Sequence, residues 1–133
     1  MFDLLVQAEA MPHRHLRAGQ TVYAQGQASD GNIFVVIEGA VTELFGEGGK
    51  TTSVREYGPG SFFGDVEVLS GSPERLRTLK VTSNSVTLAL MNQHNSRVLG
   101  GLYPEFFLSL LKSAIDNLNS AEKMFLESSR KNK

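Results

Sequence analysis

The sequence predicts a mainly β fold, a roll of about eight short strands with a short internal helix and a long C-terminal helix. Three observations predict it. Between residues 13 and 92, glycines punctuate short β-rich runs. Turn chemistry such as Asp30-Gly31 and Glu38-Gly39 stands between those runs. After Asn92 the apolar residues change to spacings of three and four. Short strands separated by turn signals indicate an all-β sandwich or roll, and the later spacing indicates an amphipathic helix.

The expected strands are Thr21-Val22-Tyr23, Ile33-Phe34-Val35-Val36-Ile37, then residues 40–45, 51–57, 78–82 and 86–91. Gly46 to Lys50 is expected to be a flexible loop joining two of them. Residues 93–99 are read as a short helix broken by Gly100-Gly101. Pro104 then opens a long helix in the first-turn position that suits it, with Glu105 favourable to the helix dipole. Its stripe runs Leu108, Leu111, Ile115, Leu118 and Phe125, beside a second row of Phe107, Leu110, Ala114 and Ala121. Residues 128–133 are expected to be a polar, basic tail.

Composition narrows the function. The 133 residues suit one domain, divided as a roll with short flanking helices over 1–103 and a C-terminal helix and tail over 104–133. Apolar residues make up 41% of the chain, enough for a core. Thirteen Lys and Arg against 14 Asp and Glu leave a net charge of −1, no footprint for a phosphate backbone, so direct nucleic-acid binding is not expected. The absence of cysteine removes disulfides, thiolate nucleophiles and thiolate metal sites. No signal peptide or apolar run of about eighteen residues is present, so the expectation is a cytoplasmic protein without a membrane span.

His13 and His15 alternate, which on a strand places both on one face. A metal site needs a third or fourth ligand, so they are read as surface residues. Ser61 and Ser70 lack a His–acid partner arrangement, and no catalytic residue is assigned.

The informative stretch is Gly58-Pro59-Gly60-Ser61-Phe62-Phe63-Gly64-Asp65-Val66-Glu67-Val68-Leu69, followed by Ser70-Gly71-Ser72-Pro73-Glu74-Arg75-Leu76-Arg77-Thr78. Its glycines let a backbone approach a ligand, a helical turn begins near Asp65, and Arg75 is placed to clamp an anion. In order, Phe63-Gly64-Asp65, Pro73, Arg75 and Thr78 resemble the phosphate-binding cassette of the cyclic-nucleotide-binding domain family, with one extra residue before the arginine. Flanking segments extend the resemblance over roughly residues 16–118: the opening strand from Arg17, the hairpin around Gly39, the strand over 81–91, and the helix from Pro104.

The resemblance implies a cupin-like jelly roll that binds cyclic AMP or cyclic GMP and has no other cofactor. The implied ligand contacts are Phe63, Gly64, Asp65, Val66, Glu67, Arg75, Leu76 and Thr78. Asp65 would accept the ribose 2′-hydroxyl and Arg75 would pair the cyclic phosphate. Asp65 alternatively reads as a helix N-cap, and Arg75 as a solvated turn residue. Glu67 stands where the family has Ala or Gly, and Leu76 where it has a small or hydroxylic residue. Glu67 is read either as facing solvent, the preferred reading, or as an internal anion that fills the cradle and pairs with Arg75.

The function expected is therefore a sensor, not an enzyme, dimerising through residues 104–128 and signalling by population shift through its last helix. The alternatives are a non-binding interaction module of the same fold, or the sensor part of an activator-type transcription regulator. Too little chain follows the last helix for an output domain, so a partner or a longer protein is expected to carry the output. A helix over 104–128 would extend ~37 Å, more than a small roll covers.

Overall fold

The computed structural model describes the backbone of residues 2–131 and the side chains of residues 2–119. Helix α1 (Leu4–Ala8) precedes strands β1 (His13–Arg17), β2 (Thr21–Tyr23), β3 (Asn32–Glu38), β4 (Val41–Glu47), β5 (Lys50–Tyr57) and β6 (Phe62–Phe63). Helix α2 (Asp65–Ser70), strands β7 (Thr78–Val81) and β8 (Ser85–Asn92), and helices α3 (Gln93–Leu102) and α4 (Pro104–Lys131) complete the order. Among the described residues, the strands form two four-stranded antiparallel sheets, β1-β8-β3-β6 and β2-β7-β4-β5. This is the jelly roll that the family resemblance implies, and it agrees with the sandwich or roll that the glycine-punctuated strands indicate.

The continuous apolar run of β3 has a simple cause. Phe34 and Val36 point between the sheets, into a core with Tyr23, Val41, Tyr57, Phe63, Leu79 and Leu88. Ile33 and Val35 point the other way, into a second core with Val68, Ala89, Met91, Leu99 and Phe106. A strand covered on both faces reads as unbroken hydrophobicity rather than alternation.

The turns are tighter than expected in one place. Glu47 pairs with Lys50, so Gly48-Gly49 alone close the β4–β5 hairpin, both at positive φ. Two central residues at positive φ match the right-handed strand twist, which a longer loop would not need. At Gly39 a Cβ would lie 2.2 Å from the Ser85 carbonyl oxygen, so no larger residue fits there.

Helix α3 corrects the expected break. It continues through Gly100 and Gly101 to Leu102 and ends where Tyr103 turns extended before Pro104. Each glycine costs about 1 kcal/mol of helix propensity, yet burial of Ser96 and Leu99 outweighs a preference of that size. Helix α4 includes residues 128–131, expected as tail; Asn132 and Lys133 lie outside the described residues.

The stripe on α4 is left largely uncovered by the roll, with Leu118 at the margin of the cavity beneath the helix. Leu108, Leu111, Ile115 and Leu118 are 46–68% exposed. Phe107 and Ala114 of the second row are exposed too, while Leu110 is half-buried; the Ala121 and Phe125 side chains lie outside the described set. The face against the roll is buried Phe106 with Leu110, Ser113 and Asn117, all half-buried. These four follow spacings of four, three and four, but two are polar, so apolar periodicity alone passes over them.

Candidate ligand pocket at the cassette

Gly64 starts the cassette helix. At φ +82° it occupies the left-handed region and serves as N-cap of α2, leaving Asp65 as the first helical residue instead of the cap. A Cβ on Gly64 would lie 2.9 Å from Arg75 Nη1, so the tight turn and the buried arginine exclude a side chain together.

Residues 73–75 return beside residues 26–29. Gly26 N–H donates to the Arg75 carbonyl, Arg75 N–H to the Gln27 carbonyl, and Ser29 N–H to the Pro73 carbonyl, each at 2.8–2.9 Å. This short ladder drives Arg75 inward, where it is 2% exposed. Its Nη2 donates to Asp30 Oδ1 at 2.7 Å and to the Asn32 carbonyl at 2.8 Å; Nη1 donates to the Gly64 carbonyl at 3.3 Å. Its Cζ lies 4.2 Å from the centre of the Tyr23 ring. A guanidinium presents five donors in a fixed fork, and here the protein engages that fork from several sides. The reading of Arg75 as a solvated turn residue is therefore corrected. Burial alone would raise the Asp30 carboxyl, but the Asn32 N–H and Arg75 hold it below the ordinary carboxylate range.

Glu67 does not face solvent. It is 4% exposed; its Oε1 accepts the Leu76 N–H at 3.0 Å, and its Oε2 lies 3.9 Å from Arg75 Nη1. The preferred sequence reading is thus overturned in favour of the internal anion. In a capping box an acid at this third helical position would reach back to the N-cap N–H. Here the returning segment offers the Leu76 N–H instead.

Asp65, also 4% exposed, accepts a hydrogen bond from Ser113 Oγ on α4 at 2.7 Å. Ser113 in turn is held by Asn117 Nδ2, which donates to its carbonyl at 2.8 Å. Burial pushes the Asp65 carboxyl above its ordinary range, against the Ser113 bond, and the nearby Glu67 charge pushes the same way. Gln93 Nε2 donates to the Val68 carbonyl, so α3 also touches the cassette.

Between the cassette, the roll and α4 lies a cavity of about 550 Å³. Ligand pockets commonly fall within ~300–1,000 Å³. Five of the eight expected contacts line it: Gly64, Asp65, Val66, Glu67 and Leu76. The other three stand outside its lining. Phe63 belongs to the inter-sheet core, stacked on Phe34 at 5.4 Å. Arg75 sits behind Glu67. Thr78 Oγ1 accepts the Gln25 N–H at the start of β7.

Sequence reasoning passed over Glu43, Tyr23, Tyr57, Arg77 and Asn117, which all line the cavity. Tyr57 donates to Glu43 Oε1 at 3.1 Å, and Arg55 Nε lies 3.8 Å from Glu43 Oε2. Burial pushes Glu43 up despite those partners, and burial pushes both phenols up. A signal for Glu43 was present: β4 alternates Val41 and Glu43 on the inward face, and a charge at an inward strand position marks a site. His13 and His15 are exposed; their rings bond to the Ala8 carbonyl and Thr87 Oγ1. Among the described residues no group of three metal-ligating side chains occurs.

A jelly roll with a helix-covered pocket and a glycine-started turn facing a buried arginine has the architecture of a β-roll built around a pocket. The chain belongs to the cyclic nucleotide-binding domain family, which matches residues 13–100. A cyclic nucleotide-gated potassium channel of Mesorhizobium japonicum is 28% identical over 114 residues, 84% of this chain and 29% of that protein. A lysophospholipase of Emericella nidulans is 37% identical over 70 residues, 50% of this chain but 4% of that protein. The chain thus spans a small part of either relative. Among solved structures, a transcriptional regulator from Thermotoga maritima superposes with a TM-score of 0.78 at 18% identity, covering 96% of this chain and 99% of that one. The likeness to that structure, at 18% identity, is one of fold. Among the described residues no helix is long and apolar enough to cross a membrane.

Proposed function

We propose that this chain is a cyclic-nucleotide sensor, a cytoplasmic regulatory domain without catalysis whose output is the position of α4. The observation that carries this reading is the 2.7 Å bond from Ser113 Oγ to Asp65 Oδ2. A sugar hydroxyl reaching Asp65 competes with Ser113 for the same buried carboxylate. Exchange of one donor for the other loosens the hold of the cassette on α4, so ligand occupancy shifts the helix between two positions. The cavity is large enough for a nucleotide, and the channel relative is named for gating by one.

Calorimetry with cyclic AMP and cyclic GMP tests the reading, alongside hydrogen exchange over residues 104–118. At least one nucleotide binds, more tightly to Ser113→Ala than to wild type, and binding raises exchange in α4. If neither nucleotide binds either protein at millimolar concentration, the sensor reading falls.

The partner in this reading is a second copy. Leu108, Leu111, Ile115 and Leu118 follow alternating spacings of three and four, the seam of a two-stranded coiled coil, and all four are exposed, Leu118 at the margin of the cavity. Two such helices within residues 104–128 cover each other's stripe, and movement of α4 is passed across that seam.

A further inference from the structure

The donors around Glu67 form a cradle for an oxyanion, and the chain fills it. The Leu76 N–H and the Arg75 guanidinium converge on one small volume beside the cavity. Both belong to the returning segment, which the ladder to residues 26–29 holds in place. A backbone N–H next to a buried guanidinium is a favourable setting for an anion, because the donors are fixed and shielded from water. Glu67 is the anion found there. Its carboxylate is buried, as is the arginine behind it, and it reaches Leu76 from a different element of the fold.

We infer that Glu67 is a tethered occupant of this cradle, a carboxylate standing where a phosphate-type oxyanion would otherwise bind. Resting on the sensor reading above, this makes Glu67 the residue that sets the domain's discrimination against anionic ligands. A phosphate can enter only by displacing a carboxylate whose local concentration is high because it is covalently held. A carboxylate that stays nearby repels the incoming charge as well. The wild-type pocket therefore binds a cyclic nucleotide weakly, and removal of one carboxylate opens a phosphate site already supplied with donors. Arg75 keeps Asp30, Asn32 and Gly64 as partners in that variant, so the arginine is not left as an isolated buried charge.

The test uses Glu67→Ala and Glu67→Gln in the full chain, with inorganic phosphate and cyclic AMP or cyclic GMP as separate probes. The readouts are the Leu76 amide resonance and calorimetric affinity. In Glu67→Ala the Leu76 amide proton moves upfield on losing its carboxylate. Millimolar inorganic phosphate moves it back downfield, while the wild-type resonance does not respond. Cyclic-nucleotide affinity rises roughly 30- to 150-fold over wild type, as expected for removing a like charge about 5 Å away. Glu67→Gln keeps an acceptor for Leu76 and drops the charge, so it folds as wild type and binds phosphate with intermediate affinity. If phosphate leaves the Leu76 resonance of both variants unmoved, or binds them no better than wild type, Glu67 is not a tethered occupant. That result leaves the sensor reading standing wherever wild type binds a nucleotide. Conversely, a Leu76 response to phosphate without any nucleotide binding keeps this inference and removes the sensor reading.

Discussion

Ser113 and Asp65, 48 positions apart in the chain, share a 2.7 Å hydrogen bond that joins the C-terminal helix to the first residue of the cassette helix. Replacing Ser113 with Ala leaves a buried carboxylate without its hydroxyl donor. We expect a loss of about 1–3 kcal/mol in urea unfolding, the cost of an orphaned buried polar group. Hydrogen exchange rises mainly over residues 104–118. Unchanged exchange there would separate α4 from the cassette.

Arg75 is the charged group on which the cassette closes. Arg75→Ala strips a partner from both Asp30 and Glu67 and opens space above the Tyr23 ring. The expected destabilisation is about 3–5 kcal/mol, as for breaking a buried ion pair by removing one member. Arg75→Lys recovers only part of it, because an ammonium cannot reach Asp30, Asn32 and Gly64 with a planar fork. Urea melts of the two variants check the ranking.

Gly64→Ala meets two obstacles at once, a positive φ and a guanidinium nitrogen 2.9 Å from the new Cβ. The expected cost is about 1–3 kcal/mol, the range for a residue held in a disfavoured backbone region. Gly71→Ala shares the positive φ but has nothing within 4 Å of its Cβ, so it loses less. Equal midpoints for the two variants would remove the steric part of the argument.

The buried carboxyls make stability depend on pH with a definite sign. Burial raises the Glu43 and Asp65 carboxyls above their unfolded values. Over the window from those unfolded values upward, the folded protein holds more protons than the unfolded chain. The contribution of these groups is therefore full at acid pH and lost as pH rises through their folded values. The slope for one proton is at most about 1.4 kcal/mol per pH unit. Glu43→Gln keeps an acceptor for Tyr57 and removes one titrating group, so its stability falls less steeply as pH rises above the ordinary glutamate range. Urea melts over that rise in pH measure the slopes; identical slopes refute the assignment to Glu43.

The outward stripe of α4 gives the last prediction. Ile115→Glu with Leu118→Glu places charges at successive seam positions, each buried opposite its twin in a parallel pair. Sedimentation shows wild type as dimers at micromolar concentration and the double variant as monomers. Neither residue belongs to a buried core, so the monomer keeps the wild-type circular dichroism. A wild type that is monomeric at high micromolar concentration removes the second copy as partner.

Local chemistry determined most of the fold. The glycines at positive φ placed the turns, the β-rich runs placed the longer strands, and Pro104 opened α4 where expected. Such signals are legible because a turn or a helix start depends on the residues that form it. At the cassette it was the family resemblance, not local chemistry, that singled out Gly64, Asp65, Val66, Glu67 and Leu76, five residues that line the cavity.

What only the tertiary structure decided is who partners whom. Glu67 could face water or the interior, since both are open to a residue on a six-residue helix. The choice was made by residues 73–76 returning along residues 26–29 and presenting an N–H to it. Asp30 read as a turn residue until Arg75 arrived from 45 positions away, and nothing in the spacing of α4 singled out Ser113, which Asp65 meets. Periodicity likewise found the apolar stripe of α4 but assigned no neighbour to it, and the face against the roll proved half polar. A side chain's partner depends on segments far along the chain, and spacing within one element carries no information about their arrival.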